Sequence, residues 1–129
     1  MAKFSETLAN AFKEHAVIFA ETQETGDSQR GHDSSEVLLR IGKLLKRNRK
    51  EAREVINELM KSDNPAVLAA CCVEAFLVKY REKEAEQVLE KIAASGLGTV
   101  SLNAEIILEL YRSGELYELD LEKASKLQR

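Results

Sequence analysis

Two histidines and one adjacent pair of cysteines are the side chains of this chain best suited to metal or nucleophilic chemistry. His32 lies in "ETGDSQRGHDSS", residues 24–35, close to Glu24, Asp27 and Asp33. A hydrolytic metal centre needs several imidazoles and carboxylates converging from rigid elements, and His15 is the only other histidine. His15 falls between Phe12 and Phe19, at the edge of an apolar stripe, where a hydrogen-bonded boundary histidine is expected. Cys71 and Cys72 sit inside "AVLAACCV", an apolar setting that raises a thiol pKa, with no His nearby and no glycine elbow to expose the sulfur. Neighbours in a helix point in different directions, which makes a mutual disulfide awkward and fits two small buried thiols in a reducing compartment. "GLG" at Gly96–Gly98 lacks the Lys and Ser/Thr of a phosphate loop. These residues predict no catalytic group, no cofactor and no metal.

Charge offers two surfaces. "KLLKRNRKEAR" gathers Lys43, Lys46, Arg47, Arg49, Lys50 and Arg53 around one predicted turn. Cations near a helix C-terminus complement its dipole, so a solvated face explains most of the cluster. The alternative use is contact with phosphate, although no aromatic interleaves the cations as a base-stacking surface requires. A net charge of -3 also disfavours a dedicated nucleic-acid binder. The acidic counterpart is Glu105 and Glu109, flanked by Asn103 and Arg112 on a later helix. A solvated face is again the simpler explanation, but such a surface would also complement a basic partner.

The elements that must position these residues are helical. One proline, six glycines and 44% hydrophobic residues among 32% charged ones describe a folded domain of 129 residues, read as single over 1–129. The N-terminal residues are interrupted by charge and lack the apolar core of a secretion signal, and "AVLAACCV" is too short to span a bilayer, so a cytoplasmic protein is expected. Phe4, Leu8, Phe12, Ala16 and Phe19 place three phenylalanines on one stripe of a helix from about Lys3 to Thr22. Val37, Leu38, Ile41, Leu44 and Leu45 mark the apolar face of a second helix, with "DSSE" at Asp33–Glu36 as a capping box and Asn48 as its stop. A third runs from about Lys50 to Lys61.

"SDNP" at Ser62–Pro65 opens a fourth helix, to about Tyr80, with Asp63 or Asn64 as cap and Pro65 in the first turn. Only Glu74 and Lys79 are charged along it, so it should be central and covered on several sides. A fifth helix, Glu82 to Ser95, ends at Gly96, and a sixth opens at Thr99 or Ser101 and stops at Gly114. The tail, residues 116–129, is read as a short docked helix or a frayed end. Alternate helix starts recur at a little over thirty residues, the period of stacked helical hairpins. The expected fold is all-α, a short HEAT-like stack of about six helices, with a closed five- or six-helix bundle as the alternative.

"SDNPAVLAACCVEAF", "AEQVLEKIAASG" and "SLNAEIILELYRSGEL", within Ser62–Leu116, resemble in order and spacing a small HEAT-like family of bacterial proteins catalogued as a domain of unknown function, number twenty-nineteen. Leu68 stands where such helical families often place Arg, and Tyr111 where Trp is expected. The resemblance implies that a Gly-Asp pair, here Gly26-Asp27, already begins the second helix, leaving Gly31 as a weak point inside it. It further implies a stand-alone immunity or adaptor protein that occludes a toxin-like partner. On that reading Asp27, Arg30 and His32, with Glu105 and Glu109, form the partner-binding surface. Oligomeric state is left open.

Overall fold

Three short polar side chains punctuate the first half of the chain in the computed structural model, which describes residues 4–120. The first helix, α1 (Phe4–Thr25), closes on Gly26, whose φ of 79° ends the run. Asp27 then caps α2 (Ser28–Arg47), its carboxylate accepting from the Arg30 N–H at 3.2 Å. The capping box read at Asp33 is therefore not the start of this helix. Asp33 lies inside it and accepts from Gln29 Nε2 one turn earlier, at 3.0 Å. Asn48 ends α2 and caps α3 (Arg49–Leu59) by accepting from Glu51 N–H at 3.2 Å. Asn64 does the same for α4 (Pro65–Leu77), taking Ala66 N–H at 2.9 Å, with Pro65 in the first turn where its missing donor costs nothing.

The second half turns on backbone conformation. Lys79 and Arg81 both have positive φ, 58° and 56°, in the turn before α5 (Glu82–Ala93). Positive-φ Gly96 and Gly98 shape the link to α6 (Thr99–Ser113), and Gly114 closes it. Ser101 locks this corner, donating to Ile92 O at 2.7 Å and accepting from Leu97 N–H at 2.8 Å. Helical backbone resumes over residues 115–120, where Leu116 is buried, so the docked-tail expectation holds that far and the remainder lies outside the described residues.

The fold is all-α, and no strand occurs among the described residues. Phe12, Leu45, Val55, Ile56, Leu59, Phe76 and Leu89 are fully enclosed. α1 packs on α2, α3, α4 and α6, and α4 packs on α5 and α6 as well. Phe76 stacks on Tyr111, ring centroids 3.7 Å apart. Two stripe assignments fail: Phe4 is 57% exposed at the start of α1, and Leu44 is 43% exposed on α2. Each lies at the margin of a face whose middle, Phe12 and Leu45, is enclosed. Gly31, expected as a weak point, is buried where α2 crosses α1, and a Cβ there would stand 2.7 Å from Thr22 Oγ1. It is the close approach of the two helices that selects glycine.

Candidate functional site

α4 was expected to be central and covered on several sides, and among the described residues one strip of it stays only half-buried around an enclosed Ala69. Ala66, Ala69, Ala70, Val73 and Leu77 recur at three- and four-residue spacing and line a cavity of about 370 Å³. Ala16 and Ala20 of α1 extend this floor with small side chains. Leu38 and Leu39 of α2 form one wall, and Val100, Ile107 and Leu110 of α6 form the other. Ile106 and Leu119 stand at the lip, 43% and 39% exposed. A cleft of this volume and apolar character falls within the range of binding pockets.

Polar contacts tie its margins together. Asn103 Nδ2 of α6 donates to Gln23 Oε1 of α1 at 2.9 Å, joining two lining residues. Elsewhere on the wall Asp120 pairs with Lys46 of α2. Glu74, from the α4 floor, is buried, and its Oε1 has no hydrogen-bond partner among the described residues. The carboxyl presses against Gly42 of α2, where an added Cβ would come within 2.6 Å of Oε1. Burial pushes the Glu74 carboxyl up to about 8, Asp120 adds to the rise and Lys46 opposes it. Among the described residues, Glu74 and Asp120 are the only charged ones lining the cleft. A carboxyl in such surroundings holds its proton to higher pH than a solvated one.

The residues singled out from the sequence are distributed around this cleft. Asp27 and His32 line a shallow hollow at the α1–α2 turn that shares Phe19, Gln23 and Ser35 with the cleft. Arg30 is exposed but does not line that hollow. His32 Nε2 lies 3.3 Å from Glu36 Oε1, one helical turn on. Glu105 and Glu109 are exposed on α6, beside Ile106 in sequence, and line neither cavity.

The basic cluster is divided. Lys46 engages Asp120, Arg49 donates to Val78 O at 3.3 Å, and the Arg53 guanidinium lies 5.7 Å from the centre of the Tyr80 ring. Lys43 is half-buried, while Arg47 and Lys50 are exposed. His15 Nδ1 lies 3.1 Å from Ser34 Oγ, bridging α1 and α2 as a boundary histidine does. Cys71 and Cys72 are free and buried, and burial raises both thiols, Cys72 to about 12. No cluster of three or more His, Cys, Asp and Glu suited to a metal occurs among the described residues.

Sequence reasoning missed the cleft because periodicity identifies an apolar helix without saying which of its sides a neighbour leaves bare. The one available signal was Glu74, a single carboxylate inside an otherwise uncharged helical run. The chain matches no family model, no curated protein and no solved structure.

Proposed function

We propose that this chain works by binding, as a helical domain that receives an apolar segment of another protein in the cleft between α2 and α6. The observation that carries this reading is the half-buried strip of α4, continuous with exposed Ile106 and Leu119 at the lip. Exposed apolar groups joined to a concave floor mark interaction sites more often than scattered ones do. A non-enzymatic role agrees with two enclosed thiols and with His15 engaged by Ser34 at the α1–α2 boundary. The immunity or adaptor form of the reading adds that Glu105 and Glu109, with Asp27, Arg30 and His32, meet the partner around the cleft. A HEAT-like arrangement suits such a use, with α1/α2 and α5/α6 as the outer hairpins and α4 between them.

The nucleic-acid alternative draws less support, because Lys46, Arg49 and Arg53 are occupied within the fold. It remains testable by salt titration: measurable affinity for DNA or RNA at low salt that collapses at moderate salt would favour it over the cleft. The cleft reading is tested by selecting displayed amphipathic peptides against the full chain and measuring their affinity for Ala70→Trp, which fills the floor, and Ile106→Asp, which charges the lip. Circular dichroism confirms that both variants fold. Loss of binding in both supports the cleft. Selected peptides that bind both variants as tightly as the original chain, or failure to select any peptide, would contradict it.

A further inference from the structure

Resting on the cleft reading, the kind of segment that fits can be narrowed from the floor and its buried carboxyl. The floor presents apolar side chains, with no free strand edge among the described residues. An extended peptide laid there would leave backbone N–H and C=O groups facing apolar side chains, whereas a helix satisfies its own. Alanines on α4 and α1, Ala66, Ala69, Ala70, Ala16 and Ala20, leave space for the backbone of a third helix to approach. The strip from Ala66 to Leu77 is ~16 Å long at the rise of an α-helix, which accommodates about three turns of an occupant.

Charge narrows it further. Every lining residue from α1 and α6 is uncharged. The groups that act electrostatically on Glu74 are Asp120 from the final turn and Lys46 from α2, and Lys46 is already paired with Asp120. Glu74 Oε1 therefore lacks a partner of its own among the described residues and lies against Gly42, at the side of a cleft whose polar lining is otherwise Gln23, Ser35, Asn103 and Asp120. An enclosed polar atom of this kind is costly unless something completes it.

We propose that the occupant is an amphipathic helix of about three turns with one Lys or Arg set into its apolar face, and that Glu74, with Asp120 beside it, accepts that cation. Leu, Ile or Met side chains flank the cation and fill the floor. Binding then draws the proton from Glu74, so affinity rises with pH as the free carboxyl ionises, up to about pH 8.

The test uses the same displayed library, with apolar-face positions randomised to include Lys and Arg, selected against the full chain at about pH 7.5. The expected result is enrichment of Lys or Arg at one apolar-face position. Replacing that residue by norleucine weakens binding to the unmodified chain about tenfold, the scale of one charge-assisted contact, and has little effect against Glu74→Gln. The unmodified chain, and not Glu74→Gln, binds the basic peptide more tightly at pH 8 than at pH 6. Peptides that need the cleft, by the Ala70→Trp criterion, but carry no enriched cation or ignore Glu74→Gln would overturn this inference alone. Peptides indifferent to Ala70→Trp would overturn the cleft reading itself. A concentration-dependent dimer dissociated by the peptide would identify a second copy as occupant and overturn the proposal.

Discussion

At the scale of single residues, Glu74 and Gly42 form a coupled pair. Gly→Ala inside a helix ordinarily gains about 1 kcal/mol, but at Gly42 the new Cβ meets Glu74 Oε1 at 2.6 Å. Gly42→Ala should therefore cost about 1 kcal/mol or more of stability through overpacking, and the same change in a Glu74→Ala background should be stabilising. A double-mutant cycle by denaturant unfolding measures the difference, and additive effects would rule out the contact. Glu74 also sets a pH dependence. Its carboxyl is raised from 4.5 to about 8 in the folded chain, so between these values the unfolded chain binds fewer protons and stability falls as pH rises. Glu74→Gln removes that fall. Melting temperatures from pH 5 to 9 should show the unmodified chain losing ground to Glu74→Gln up to about pH 8 and running parallel above it. Parallel curves throughout would mean that Glu74 does not titrate in this way.

At the scale of elements, caps determine where helices begin, and two competing caps were legible in the sequence for α2. Asp27 makes the capping contact with Arg30 N–H, while Asp33 sits a turn and a half inside the helix. Asp27→Ala is expected to cost roughly 1 kcal/mol and Asp33→Ala less than about 0.5 kcal/mol, read from urea midpoints. Equal losses would return the helix start to an open question. The capping-box pattern could not be distinguished from a chance match because both sites carry a short acidic side chain followed by helix formers. Pro65 marked the first turn of α4 clearly by contrast and narrowed its cap to Asp63 or Asn64, of which Asn64 makes the contact. Helix existence was thus readable from periodicity, and so was the enclosed face of α2 at Ile41 and Leu45. What could not be read were the positive-φ turns at Lys79 and Arg81, which contain no glycine to announce them.

At the scale of the whole molecule, the described residues form six helices and a helical segment over 115–120 that enclose one core and leave an apolar strip of α4 half-buried between two walls. That strip was invisible to sequence because it depends on how far α2 and α6 stand apart, which no single helix encodes. The charge distribution at the same scale separates cations tied into the fold from the uncharged cleft lining beyond Glu74 and Asp120. Accordingly, nucleic-acid affinity should be absent even at low salt, and a fluorescence-anisotropy titration with labelled DNA and RNA checks it. Binding through the cleft is tested most directly by labelling the methyl groups of Ala, Val, Leu and Ile and titrating the chain with a selected amphipathic peptide. The predicted result is saturable shifts at Ala66, Ala70, Val73 and Ile107, with Val55 and Ile56 of α3 unmoved. Saturable binding that shifts other surfaces and leaves Ala70 and Val73 unchanged would contradict it.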